Sequence, residues 1–308
     1  MRDLFFGDNG TFTIVQFTDL HWQNGEPEDL RTYSLMKDIL QKESPDLVVF
    51  TGDVIYSNDC NNPSDSYRNA VKAAEELHIP WAAVFGNHDT ESKCTKEQLI
   101  AVQQEHKYCL TETGPVLDNR LGNYTIRVNS RKSNTPRAAL YMLDSGGFSN
   151  HSQVGGYEWI THNQIGWYKE QSKLLTENNG GAPLLSLAFL HIPFPEYKQV
   201  WDEQTCYGHK YEGICCPEVN SGLFSAFVEM EDVKGVFVGH DHINDFLGNL
   251  HGISLCYGRA TGYNTYGKEG FPRGARVIRL EEGKPNFESW ITLDDGTTIS
   301  SQQEHAPE

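Results

Sequence analysis

An α/β fold whose sheets end in a cluster of polar residues is what this sequence predicts, and three observations predict it. Five short apolar runs rich in Val, Ile and Phe, at 12–17, 47–50, 81–85, 184–190 and 236–238, have the length of buried strands. Helical spacing lies between the early runs. Each run stops at residues that ligate cations or move protons, which is where open α/β sheets place their sites. With 308 residues the chain can bury a substantial core, and one domain over 1–295 is expected.

The elements follow in order. The first run leads into Asp19-Leu20-His21. Residues 30–43 have helical spacing and end before Ser44-Pro45-Asp46, a stop and turn signal. The second run leads into Gly52-Asp53, followed by a polar loop at 58–65 and a second helix at 66–77. The third run opens into Gly86-Asn87-His88-Asp89, and 94–106 reads as a third helix. Residues 129–137 are polar and basic, an exposed hairpin turn. The fourth run ends at His191. The segment 194–222 that follows carries Tyr197, Trp201, Tyr207, His209 and Tyr211, and its length suits a lid or specificity insertion. The fifth run ends in Gly239-His240-Asp241-His242, and 296–308 is polar enough to be a flexible tail.

Together the run ends supply residues for two cations. A carboxylate such as Asp53 can bridge two metals, while imidazole and amide oxygen complete each shell without adding negative charge. The pairs Asp19/His21 and His240/His242 have i, i+2 spacing, which on extended backbone points both side chains to one face. We assign Asp19, His21, Asp53 and His242 to one metal, and Asp53, Asn87, His191 and His240 to the other. Such a pair can clamp phosphoryl oxygens and bring a bound water's pKa down toward roughly 7. His88, beside Asn87, is the expected proton donor or transition-state stabiliser, with Asp89 expected to orient its ring.

The series Asp-x-His, Gly-Asp, Gly-Asn-His-Asp, His, Gly-His-x-His resembles the calcineurin-like metallophosphoesterase superfamily. Within it the chain is similar to the small (class III) purple acid phosphatase-like proteins of plants, fungi and bacteria. The similarity extends through residues 79–84, 219–222, 236–246, 256–258 and 266–268, and covers roughly 12–280. It implies a four-layer α/β-β/α sandwich, two mixed β-sheets flanked by helices, with a dinuclear centre at one end. It also implies a phosphate-ester substrate: monoesters first, phosphodiesters including cyclic nucleotides second, and a non-catalytic scaffold third, because every expected ligand position is filled. One departure stands out. True purple acid phosphatases lack the first-motif His and bind ferric iron through a Tyr three residues after the Gly-Asp aspartate, whereas here both His21 and Tyr56 are present. His21 is expected to bind and Tyr56 to pack nearby. Asn220, Tyr56 and His209 are the candidates for touching substrate; Arg259 and Lys268 read as surface charges before phosphate contacts.

Composition bounds the rest. A net charge of −17 leaves no basic surplus for general nucleic-acid binding. No run of 18 apolar residues indicates a membrane span. Residues 1–10 carry no apolar leader core, so a cytoplasmic location is expected, although a trimmed leader would look the same. Seven cysteines, none in a paired Cys-x-x-Cys arrangement, read as free thiols ahead of a Cys206 bridge to Cys215 or Cys216. Nitrogen and oxygen donors without thiolate admit Mn, Fe, Zn or Co. No protein partner is read from the sequence.

Overall fold

Two mixed sheets pack face to face in a computed structural model that describes residues 4–307. The six-stranded sheet runs Thr298–Ile299, Phe287–Leu293, Gly274–Glu281, Thr11–Phe17, Leu47–Thr51, Trp81–Val84. The nine-stranded sheet runs Leu4–Phe5, Tyr124–Asn129, Pro136–Met142, Leu185–Phe189, Val233–Val238, Ile253–Tyr257, Leu247–Leu250, Cys206–Tyr207, Glu304–His305.

The apolar runs are continuous because both faces of their strands are buried. Side chains alternate across a strand. Phe12, Ile14, Leu47 and Val49 therefore meet Leu140, Leu187 and Phe237 of the other sheet in a middle core. Their neighbours Val15, Phe17, Val48 and Phe50 face outward onto Leu35, Met36 and Ile39 of the helix Pro27–Glu43, with Tyr67 and Leu99 beside them. On the other side Tyr141, Ala188 and Val236 meet Tyr168 of the helix His162–Asn178 and Phe227 of the helix Leu223–Met230. The result is the four-layer α/β-β/α sandwich.

Strands Thr11–Phe17, Leu47–Thr51 and Trp81–Val84 are mutually parallel, as are Leu185–Phe189 and Val233–Val238. Their carboxyl ends carry the motifs. The two sheets join at this rim, where Gln16 Nε2 donates to the Val238 carbonyl at 3.0 Å.

Several local expectations shift. The first helix starts three residues early, at Pro27, since Pro suits the first turn, where its missing N–H is not needed. The helix expected at 66–77 is two, Pro63–Ala70 and Lys72–Glu76, parted at Val71; the Asn62 side chain caps the first, so it takes residues from the expected loop. The third, Lys96–Gln104, opens with a capping box between Thr95 and Gln98. The tail expected to be flexible is paired: Thr298–Ile299 adds to Phe287–Leu293, and Glu304–His305 adds to Cys206–Tyr207. The His305 ring lies flat on Trp201, with centroids 3.8 Å apart.

The 194–222 segment lays Tyr197 and Trp201 on the body and leaves Tyr207 and Tyr211 exposed. Tyr197 is fully buried and donates to the Val236 carbonyl, and Trp201 sits between Phe246 and His305. All seven cysteines are free thiols. Among the described residues no helix is long and apolar enough to cross a membrane.

Candidate metal centre

The loops leaving the strands adopt backbone that side chains ordinarily resist. Asp19, His21, Asp53 and His240 all have positive φ, between 48° and 78°. A Cβ in this region crowds the following carbonyl, so such residues persist only where the surroundings enforce them, and they gather at functional sites. Enforcement here is mutual. His21 N donates to Asp53 O at 2.9 Å, Trp22 N to Val54 O at 3.1 Å, and Asp19 N to Gly52 O at 3.2 Å. Glycine is needed alongside: a Cβ on Gly86 would lie 2.2 Å from Asp53 Oδ1, and one on Gly52 would lie 2.6 Å from His191 Nδ1.

Two groups of donor atoms result. Asp19, His21, Asp53 and His242 form one, and Asp53, His191 and His240 the other; within each group the atoms lie within 4.8 Å of one another, and all are buried. Asp53 belongs to both. Its Oδ1 accepts from His88 N at 2.8 Å, which holds the Asn87 segment against it. Its Oδ2 accepts no hydrogen bond and faces His191 Nε2 at 3.2 Å and His21 Nε2 at 3.5 Å, one imidazole from each group.

Outer contacts aim the rings. His191 Nδ1 donates to the Thr51 carbonyl at 2.8 Å, and His242 Nδ1 meets Thr265 Oγ1 at 2.6 Å; both leave Nε2 for the centre. Asp19 accepts from His240 N at 3.1 Å and from Thr18 Oγ1 at 2.8 Å. Tyr157 and Tyr266 wall the pair, edge-on to His240 and stacked on His242.

The site fits cations. Five of its buried polar atoms have no hydrogen-bond partner: His21 Nε2, Asp53 Oδ2, both amide atoms of Asn87, and His240 Nε2. Each such atom ordinarily costs about 1–3 kcal/mol, so their concentration at one place marks a site shaped for a ligand. The electrostatics agree. Burial works against a proton on His191, yet the Asp53 and Asp19 carboxylates outweigh it and raise that imidazole to about 10. Burial works against charge on Asp19 too, yet His242 beside it holds the carboxyl down at about 2. The third ring goes the other way: burial and the neighbouring His191 push His240 down to about 3, so it stays neutral with its Nε2 unpartnered.

Of the other expected site residues, Tyr56 and His88 stand at the centre beside His21, Asp89 braces its loops, and Asn220 and His209 have other partners. Asp89 does not orient His88. Its carboxylate accepts from Asp53 N, Gly86 N and Ile55 N at 2.8–3.0 Å, pinning the two loops together. The His88 ring instead meets Glu91, with Nδ1 and Oε2 2.7 Å apart. Tyr56 packs against His21 and His88. Asn220 bonds Glu196 and its own turn at Gly222, ahead of the helix Leu223–Met230, and His209 stacks on Tyr211. Arg259 is buried and paired with Asp245 at 2.6 Å, so it is neither a surface charge nor free for phosphate; Lys268 lies over the Tyr211 ring. Sequence reasoning assigned no site role to Thr265, Tyr157, Tyr266 or Glu91; Glu91, three residues past His88, and Tyr266, inside the matched segment 266–268, stood close enough to a motif to be read.

The sequence profile of the family described as calcineurin-like phosphoesterase matches residues 12–244. The chain belongs to the calcineurin-like phosphoesterase family. This phosphoesterase is 36% identical to a protein of Arabidopsis thaliana named probable inactive purple acid phosphatase 29, over 96% of this chain and 85% of that one. It is 32% identical to the phosphatase DCR2 of Saccharomyces cerevisiae, over 93% of this chain and 54% of the yeast protein. In fold it resembles the crystal structure of a dimetal phosphatase from Danio rerio: TM-score 0.58, 14% identity, covering 94% of this chain and 99% of that one.

Proposed function

We propose that this phosphoesterase is a two-metal phosphomonoesterase. Asp19, His21, Asp53 and His242 would hold one cation, and Asp53, Asn87, His191 and His240 the other. When bound, the pair supplies Lewis-acid activation of the phosphoryl group and of its attacking water. The observation that carries the reading is Asp53 Oδ2, a buried carboxylate oxygen without a hydrogen bond between imidazoles of both groups.

The remaining work falls to this chain's own residues. His88 stands beside His21 and Tyr56 and is the side chain suited to give a proton to the leaving oxygen. Beside Asn87 a cleft of about 440 Å³, bordered by Glu91, Lys96, Arg120, Phe148 and Glu158, offers room for the alcohol portion of the ester. Lys96 and Arg120 are already paired with Asp144 and Glu158, so among the described residues lining the cleft no cation is left unpaired for a further anionic group. That favours an alcohol portion that is neutral or cationic.

A second reading, a binding protein without catalysis, draws on the word "inactive" in the name of the Arabidopsis relative. A fold hosts many functions, so the site itself has to argue the case. Here no ligand position is vacated. The test strips the protein of metal, restores Mn, Fe, Zn or Co in turn, and compares p-nitrophenyl phosphate with bis-p-nitrophenyl phosphate. The monoester is expected to turn over faster. A diester preference would make the enzyme a phosphodiesterase, and two metals bound per chain with no turnover of either ester would favour the binding protein.

A further inference from the structure

We propose that Glu91 is the positioning residue of His88, holding the imidazole through Nδ1 so that Nε2 is presented to the ester oxygen. The proposal rests on the reading above, in which His88 acts on the leaving group. Its geometric basis is independent of that reading. His88 Nδ1 and Glu91 Oε2 are 2.7 Å apart, and both side chains are about three-quarters buried. A carboxylate accepts, so this bond places a proton on Nδ1 and sets the ring's orientation together with its tautomer.

The turn joining the two residues is clamped from the neighbouring loop. Ser57 Oγ donates to the His88 carbonyl at 2.6 Å and accepts from Glu91 N at 3.1 Å and Ser92 N at 3.3 Å. Tyr56, His21 and Phe148 wall the ring, with centroids 4.9, 5.2 and 6.3 Å away. The adjacent carboxyl group, Asp89, is turned to three backbone N–H groups instead of the His88 ring. The competing reading is a partly exposed ion pair with no consequence for chemistry, the ordinary fate of such pairs.

The experiment compares wild type, E91A, E91Q, H88A and the double variant H88A/E91A as zinc-loaded proteins. One arm reads the ring itself. In ¹⁵N-histidine-labelled protein, H88A identifies the His88 signals; they should report the Nδ1–H tautomer in wild type and E91Q, and a mixture in E91A. The other arm reads catalysis. E91A should lower kcat on an alkyl phosphate such as glycerol 2-phosphate by roughly 10–100-fold, and on p-nitrophenyl phosphate by less, because its leaving group needs little help from an acid. KM and the zinc count should stay put, E91Q should recover most of the rate, and E91A should cost less than about twofold in the H88A background, since residues acting as a unit are not additive.

Wild-type His88 signals in E91A, or an equal loss with and without His88, would overturn the proposal. If no ester is hydrolysed by wild type, the functional reading fails, and the ring signals alone decide the positioning role. E91D, a methylene short of the ring, repeats the comparison if E91A does not fold.

Discussion

Asp53 sits in both groups of donor atoms, and its two carboxylate oxygens have different surroundings. One oxygen fixes the His88 segment and the other faces two imidazoles, from a backbone conformation that the Asp89 carboxylate enforces through Asp53 N. Asp53→Ala should therefore lose metal together with activity, whereas His88→Ala should lower turnover with both metals retained. Retention of two metals by Asp53→Ala, measured by elemental analysis after dialysis, would overturn the bridging role proposed for it. A subtler change tests the outer contacts. Thr265→Val keeps the shape but removes the hydroxyl at His242 Nδ1, and hydrogen-bond partners of this kind ordinarily contribute about 10–100-fold in metal affinity. Titration with a competing chelator should show that loss. An unchanged affinity would mean that packing under Tyr266 suffices to hold the ring.

At the scale of elements, strands were legible and helix ends less so. The run 12–17 reads as a strand because apolar residues fall on both its faces, and the observed strand, Thr11–Phe17, differs by one residue. The break at Val71 was not legible: nothing in 66–77 is a breaker, and the second short helix turns to pack Ala73 and Ala74 into the core. The tail was misread for a related reason. Two-residue strands have no periodicity, and Glu304–His305 are held by an edge and by Trp201, a hundred positions away. Removing residues 303–308 while keeping Gln302 should lower the thermal midpoint by a few degrees. A stacked aromatic pair contributes about 0.5–1.5 kcal/mol beyond its buried area, and each kcal/mol is worth roughly 2–4 °C in a chain somewhat smaller than this. Zinc content and kcat should not change. A loss of metal would tie the tail to the site instead.

For the molecule as a whole, the site is a seam. His240 N donates to Asp19 across 221 positions, and His191 meets Asp53 across 138, so each cation would fasten one sheet to the other. Ligands that bind only the native state stabilise it, by about 2.7 kcal/mol at a hundredfold excess over Kd. Chelation should accordingly lower the calorimetric midpoint of wild type by several degrees and leave that of Asp53→Ala unmoved. Equal shifts in the two would place the stabilising metal elsewhere.

The sequence by itself determined the class of fold, the strand ends and which side chains gather at the rim, because a buried strand announces itself over a few neighbouring residues and these side chains closely follow one. Only the tertiary structure decided which contacts those residues make. It gave Asp89 to the backbone and His88 to Glu91, buried Arg259 against Asp245, and drew the last residues into a sheet. The physical reason is range. Periodicity and adjacency act over a few positions, whereas a carboxylate's choice of partner depends on donors that folding brings near from other strands and loops.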